Sequence, residues 1–306
     1  MTQLLLLLIV MTNISIMTLN VNGMRDPLKR RHIFQYCNSL NADLFLLQEC
    51  HITSQQDKDQ WANEWKGHLY ASLGTPFSCG TVILVSPRLK YKDLKTTCDL
   101  DGRLFCLTLS LSSGQLQVCN VYAPNQPYKR KDFFNKLSTY ITGSNNCILA
   151  GDFNCVPDVT MDRTNNSSHP ADPGFHELEL FIKTHRMYDT WRSCNPSSRT
   201  YTWFKADDTD ASRLDRIYTS LPTLKCNIVK CPLSDHDAVF GTFDLLHPEV
   251  RGKGFWKLNN KILAEANFRS LFEVSYSNWK TLKSAFHSTQ HWWDDIKCRT
   301  KELAIK

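Results

Sequence analysis

Short apolar runs alternate along the chain with polar stretches in which apolar residues recur at helical spacing. The runs predict strands near 14–19, 43–48, 79–85, 102–111, 115–121, 147–150, 226–230 and 238–245. Ser112-Ser113-Gly114, between two of them, reads as a hairpin turn. Helices are predicted near 30–40, 54–66, 129–142 and 174–185; Ile33, Phe34, Cys37 and Leu40 fall on one face of the first. Hairpins mixed with helical crossovers predict an α/β protein in which two mixed sheets pack together, flanked by helices. The polar stretch 157–173 reads as a loop, and 247–254, with its Pro and two Gly, as a linker. Beyond it Phe268, Phe272, Tyr276, Trp279, Leu282 and Phe286 keep helical spacing and predict a further helical element.

Several apolar runs end on polar groups that packing does not explain. The run 147–150 leads into Gly151-Asp152-Phe153-Asn154. Strand residues two apart share a face, so a carboxylate and a carboxamide are offered on one side, as a metal ion or a nucleophilic water requires. Asn20-Val21-Asn22-Gly23 closes the first run, Gln48-Glu49 closes the second, and Ser234-Asp235-His236-Asp237 precedes the last. Each has a plain structural alternative: a turn at Asn-Gly, a solvated Glu, a surface Asp-His pair. Their joint occurrence at strand ends argues for one site.

Together with Asn120-Val121-Tyr122-Ala123-Pro124-Asn125, Tyr201-Thr202-Trp203-Phe204 and Arg213-Leu214-Asp215-Arg216-Ile217, these motifs resemble the exonuclease–endonuclease–phosphatase superfamily over residues 14–245. Within it they look like the endonuclease domain of LINE-type (non-LTR) retrotransposon polyproteins, of the apurinic-endonuclease-like branch. The Tyr-Ala-Pro-Asn segment and an Asn rather than an Asp at position 22 point to the retrotransposon members. The resemblance implies a four-layer α/β sandwich at 14–246, after an unstructured leader at 1–13 and before a linker and basic helical connector at 247–306. Residues 254–260 resemble the segment that joins such endonucleases to a reverse transcriptase, a partner expected outside this chain. No polymerase motif is present; Ala206-Asp207-Asp208 lacks the aromatic that would precede one. The chain reads as an amino-terminal fragment or a truncated relic of a larger protein.

The implied activity is Mg²⁺-dependent hydrolysis of a phosphodiester in duplex DNA, with Mn²⁺ as a substitute, leaving a 3′-hydroxyl that primes reverse transcription. Mg²⁺ prefers oxygen ligands, which makes Glu49 the direct metal ligand, with Asn22 on a metal-bound water and Asp235 in metal or water contact. Asp152 orients or deprotonates the attacking water, or serves as a second metal ligand; Asn20 and Asn154 position water and phosphate. His236, held by Asp215, donates to a non-bridging oxygen, and Tyr122 donates to the phosphate or leaving oxygen. Thr202 and Ser212 flank a loop whose family counterpart approaches the minor groove, although Asp207, Asp208 and Asp210 are unusual facing phosphate. Arg25 and Arg30, and Lys129 and Arg130, form basic clusters suited to the DNA backbone. The alternatives are an abasic-site repair endonuclease and a catalytically inactive DNA-binding relic.

Composition sharpens this only in places. The net charge of +6 comes from residues 251–306, which hold 11 Lys/Arg against 5 Asp/Glu; the rest is neutral, so a polyanion must be gripped by local patches. Cysteines number 12 without a CxxC pair or zinc spacing, predicting a reducing compartment and no disulfide framework. The apolar start 4–10 is too short to span a membrane and lacks a basic leader, so Met11 is a plausible true start. Synthesis in the cytoplasm, action in the nucleus and no secretion are the matching expectations. Nothing indicates an oligomer.

Overall fold

Most apolar runs form strands because β-branched and large aliphatic residues can be buried on both sides of a covered sheet. The computed structural model describes residues 13–141, 146–164, 172–207, 209–245, 258 and 260–305. The chain divides into two units, Met1–His247 and Pro248–Lys306. The first opens with β1 (Asn13–Asn20), α1 (Pro27–Leu40), β2 (Leu44–Gln48), α2 (Gln55–Trp65), β3 (His68–Ser72) and β4 (Thr81–Val85). Next come β5 (Asp93–Cys98), β6 (Leu104–Leu111), β7 (Gly114–Tyr122), α3 (Pro127–Lys136), β8 (Cys147–Asp152), α4 (Val159–Asp162) and α5 (Phe175–Thr184). It closes with β9 (Tyr188–Asp189), α6 (Thr190–Cys194), β10 (Trp203–Phe204), β11 (Ala211–Ser212), β12 (Asp215–Thr219), β13 (Thr223–Val229) and β14 (Ala238–Asp244).

Two six-stranded sheets result, ordered β13-β14-β1-β2-β4-β3 and β5-β6-β7-β8-β12-β9. Each is antiparallel apart from one parallel pair, β1 with β2 and β7 with β8. A parallel pair needs a crossover, and α1 and α3 supply it. Ile14, Ile16, Leu44, Leu46, Ile148 and Ile217 fill the space between the sheets. Met17, Leu19 and Phe45 face outwards onto Ile33, Phe34, Trp61 and Trp65 of α1 and α2. Leu149 and Phe153 pack outwards against Phe134, Leu178 and Phe181 of α3 and α5. The layers are therefore helix, sheet, sheet, helix, the sandwich expected. Asn120 pins the two sheets beneath one edge: its Nδ2 donates to Leu47 O and Val82 O (both 2.9 Å), and its Oδ1 accepts from Gln48 Nε2 (2.7 Å).

The second unit, described by itself, is a helical hairpin of α7 (Ala266–Thr281) and α8 (Thr289–Ile305). The rings of Phe268, Phe272 and Tyr276 stack along α7, and Phe268, Trp292 and Ile296 are buried. The predicted apolar face is thus present to Trp279, but the helix ends at Thr281 and leaves Phe286 beyond it.

Several expectations need correction. Asn13, assigned to an unstructured leader, begins β1 and pairs with Asp244; residues 1–12 lie outside the described residues, as do 246–257 and with them the whole linker 247–254. The helix expected to reach 142 stops at Lys136 and continues as a 3-10 turn, Leu137–Thr139. The stretch 157–173 contains α4, capped by the Asp158 carboxylate; 165–171 lie outside the described residues. Cys106 and Cys119 are cross-strand partners on β6 and β7 and form a disulfide, which the sequence reading had not expected.

Gly151 shows why the turn of chain before Asp152 needs glycine. Its φ is +149°, and a Cβ there would lie 1.9 Å from Val121 O on the neighbouring parallel strand. Gly151→Ala is therefore expected to cost about 3 kcal/mol or more, at the severe end for a single substitution. Urea denaturation would measure this; a midpoint unchanged from wild type would mean that β7 and β8 can separate without penalty.

Candidate active site

The site lies where the carboxyl ends of the two parallel pairs meet, the usual place for a cleft in α/β sheets. Asn20 ends β1, Glu49 follows β2, Tyr122 ends β7 and Asp152 ends β8. β12 runs antiparallel to β8 and sets Asp215 directly opposite Asp152. The segment before β14 brings Asp235 and His236 across to the antiparallel pair β10 and β11, where Trp203 bridges His236. An open cleft of about 530 Å³ is formed, lined by Asn20, Asn22, Glu49, Asn125, Asp152, Asn154, Asp235 and His236, with Trp203, Leu214 and Ser212 on one wall.

Asp152 is held from both sides. Asn20 Nδ2 donates to its Oδ2 (3.0 Å) and the Asn154 amide to its Oδ1 (2.9 Å). Burial, and then the Asp215 charge, push its pKa up to about 6, against the opposing pull of His236 and these hydrogen bonds. A carboxylate so poised can accept a proton near neutral pH. His236 Nδ1 lies 2.8 Å from Asp215 Oδ2, which leaves Nε2 as the free donor on the cleft side. Burial works to lower the His236 pKa, but Asp215, with Asp152 and Asp235, outweighs it and raises it to about 9. The imidazole is therefore a fixed cation, suited to an anionic oxygen. Ser234 fixes the approach: its Oγ donates to Asn20 O (2.7 Å) and accepts from the His236 amide (3.2 Å).

Asp152, Asp215 and His236 have ligand atoms within 4.8 Å of one another. A protonated imidazole has no lone pair to offer and repels a cation, so this cluster is better suited to moving and holding protons than to holding a metal. Glu49, Asn22 and Asp235 also line the cleft and carry the oxygen atoms that a hard ion prefers. Their chemistry fits a Mg²⁺ ion. Asn22 Nδ2 donates to Asp235 Oδ1 (3.0 Å) and Trp203 Nε1 to Asp235 Oδ2 (3.2 Å), so Asp235 is already oriented by two donors. The Tyr122 hydroxyl is directed at Glu49 Oε1, and its pKa is raised by burial and then by Glu49, so it remains a donor.

Of the residues singled out in the sequence, Asn20, Asn22, Glu49, Tyr122, Asp152, Asn154, Asp215, Asp235 and His236 come together here. Arg130 and Ser212 also line the cleft; Arg130 braces its floor by donating to Pro124 O and Asn125 O. Arg30 does not face DNA. It is buried, and a fork onto Glu64 and bonds to Met24 O and Arg25 O consume its guanidinium. Thr202 is likewise internal: its hydroxyl accepts from the Leu214 and Asp215 amides, and its role is to seat β12. Arg25 reaches Thr53 and Asp57 on the surface, and Lys129 lies over Tyr128. Asp207 pairs with Lys205, and Asp210 accepts from Thr164; Asp208 lies outside the described residues.

Other contributors were missed. Asn125, quoted in a motif but given no role, sets its Oδ1 2.8 Å from the Tyr122 hydroxyl oxygen and accepts from Asn154 Nδ2 (3.2 Å), and so ties the two halves of the site. Its place three residues after Tyr122 was the available signal. Arg213 enters a buried network with Asp162 and Asp189 (2.7 Å each) that fixes the chain just before Asp215; spacing alone gave no hint of it.

The Endonuclease/Exonuclease/phosphatase family pattern matches residues 17–236. The chain is 30% identical over 299 residues to the transposon TX1 uncharacterized 149 kDa protein of Xenopus laevis, covering 95% of this chain and 22% of that one. Among solved structures it is similar to an AP endonuclease from Leishmania major (TM-score 0.64, 18% identity, 78% of this chain and 89% of that one). It is also similar to a Neisseria 3′ phosphatase solved with a product DNA hairpin (TM-score 0.59, 18% identity, 76% and 99%).

Proposed function

Because the chain belongs to the endonuclease/exonuclease/phosphatase family, we propose that it is a metal-dependent endonuclease that nicks duplex DNA and leaves a 3′-hydroxyl. The observation that carries this is the grouping in one cleft, with ligand atoms within 4.8 Å, of a buried carboxylate raised to about 6 and an imidazole raised to about 9. A base and a fixed cation are the two groups that hydrolysis of a phosphodiester needs from the protein. The transposon-encoded relative supports a LINE-type element as the setting, in which the nick primes reverse transcription by a polymerase region outside this chain. Duplex DNA in the nucleus is then the substrate. Among the described residues no helix is long and apolar enough to cross a membrane.

In this reading Asp152 takes the proton of the attacking water, while Asn20 and Asn154 hold its two oxygens in place. His236 donates Nε2–H to a non-bridging oxygen, with Asp215 fixing the ring through Nδ1. Asn125 keeps Tyr122 and Asn154 in register. Glu49, with Asn22 and Asp235, would hold Mg²⁺, which when bound neutralises charge on the phosphate and on the leaving oxygen.

Supercoiled plasmid with Mg²⁺ against excess EDTA tests the activity: relaxation with Mg²⁺ alone is expected, and equal relaxation in EDTA would remove the metal from the reading. The second reading, abasic-site repair, draws on the AP endonuclease among its structural neighbours. Matched duplexes with and without one abasic site separate the two. Comparable nicking of the intact duplex supports the transposon reading, and cleavage confined to the abasic duplex overturns it.

A further inference from the structure

Glu49 and His51 share an unusual backbone. Both are non-glycine residues with positive φ, 51° and 58°, on either side of Cys50. Single residues held in the left-handed region persist only where surrounding structure fixes them, and they cluster at functional sites. Here both neighbours hold the segment. Gly23 N donates to Glu49 O (2.7 Å) and Met24 N to Cys50 O (3.3 Å) on one side; Cys50 N donates to Gly80 O (2.9 Å) and His51 N to Cys79 O (3.0 Å) on the other. The kinked path brings the His51 imidazole back beside the Glu49 carboxylate, with Nε2 3.8 Å from Oε2. His51 Nε2 is buried and has no hydrogen-bond partner among the described residues. Space for the ring is made by Gly23, where a Cβ would lie 3.0 Å from His51 Nδ1. A glycine kept open for a histidine, a strained backbone and an orphaned ring nitrogen beside one carboxylate oxygen form a coherent device.

We propose that His51 is a positioning residue for Glu49: its Nε2–H takes Oε2 while the Tyr122 hydroxyl takes Oε1, so that the carboxylate is presented to a divalent cation in one orientation. The inference rests on the assignment of Glu49 as a metal ligand. Held from both oxygens, the carboxylate loses its rotational freedom before the ion arrives, and the remaining lone pairs face the cleft. A small closure of the 3.8 Å gap is all the hydrogen bond requires. Partners of metal ligands that act in this way typically alter metal affinity by 10–100-fold.

The test is Mn²⁺ binding without DNA, read from the electron paramagnetic resonance signal of free Mn²⁺. Three variants separate donor from volume: His51→Gln keeps a donor at the place of Nε2, His51→Phe keeps a ring without a donor, and His51→Ala keeps neither. The Phe and Ala variants are expected to bind Mn²⁺ about 10-fold or more weakly, and Gln to recover most of the loss. Binding by the Phe variant as tight as wild type overturns the positioning role. Wild type that binds no Mn²⁺ at millimolar concentration, or a Glu49→Gln variant that binds it undiminished, overturns the metal assignment instead. Wild-type protein labelled with ¹⁵N-histidine guards against misfolded variants. The His51 Nε2 resonance should move on titration with Mg²⁺ while that of His185, on the helix end outside the cleft, stays fixed; a stationary His51 signal with Mg²⁺ bound overturns the inference.

Discussion

Asp152→Asn is expected to lower the nicking rate by at least about 10²-fold, the low end for a positioned acid–base group, while raising the melting temperature at pH 7.5. The two effects share one cause. Asp152 is buried, and burial with the adjacent Asp215 charge has pushed its pKa up to about 6. Its unfolded value is about 3.9, so the fold disfavours the ionised form. The penalty is absent below about pH 4, grows as pH rises, and is complete above about pH 6, where it amounts to about 3 kcal/mol. Asn cannot ionise and escapes the penalty, which outweighs the one hydrogen bond it gives up: its single carbonyl oxygen accepts from either Asn20 Nδ2 or the Asn154 backbone N–H, and its Nδ2 cannot accept from the other. It cannot accept a proton from water. The isosteric change matters, because Ala would leave the buried Asn20 side chain without its acceptor and confuse lost chemistry with lost packing. For the wild type, kcat/KM should climb about tenfold per pH unit up to about pH 6 and then level. Nicking by the variant within tenfold of wild type would remove Asp152 from the role of base. Melting curves that differ equally at pH 4 and pH 7.5 would show that its ionisation carries no strain.

The chain discloses its parallel strands readily and its polar ones poorly. β1, β2 and β8 are apolar runs covered on both faces, and their polar last residues stand out by contrast. β12 is as buried as any of them, but two of its five residues are Asp215 and Arg216, so periodicity gives no strand there. Its existence depends on partners far away in sequence: Asp152 across the ladder, and the Asp162–Arg213 network behind it. β5 fails for the opposite reason, being an exposed edge strand with Lys95 and two threonines facing solvent. The same distinction divides the site residues. Asn20, Glu49 and Asp152 are marked by their place at strand ends, whereas the Asp215–His236 bond spans 21 residues and was available only through family resemblance. Charge by itself misled. Arg30 looks like a backbone-gripping cation until α1 and α2 are packed and Glu64, 34 residues on, claims it.

Asp215→Asn is expected to reduce nicking by about 10²–10⁴-fold and to move the alkaline limb of its pH profile down by about two units or more. In the wild type, burial pulls the His236 pKa down and Asp215, chief among the carboxylates, drives it up to about 9. A phosphate-facing imidazolium then survives through neutral pH, and kcat/KM should fall only above about pH 9. With Asn in place of Asp215, burial is left opposed mainly by the weaker contributions of Asp152 and Asp235, and His236 is neutral at the pH of assay. The ring keeps a neutral hydrogen-bond partner in the Asn amide but loses the carboxylate that holds both of its nitrogens protonated. Stability supplies an independent readout. His236 has a folded pKa above its unfolded value of about 6.5, so the stabilisation it contributes is full below pH 6.5 and is lost as pH rises through 9. Wild-type melting temperature should decline across that window, and the variant should not share the decline. His236→Gln, which retains an amide donor but no charge, should lose about 10²–10³-fold, the usual cost of removing one transition-state donor, and should show no alkaline limb of this origin. An alkaline limb that stays near pH 9 in both variants would trace it to another group, and the cleft would then need a different cation to meet the phosphate.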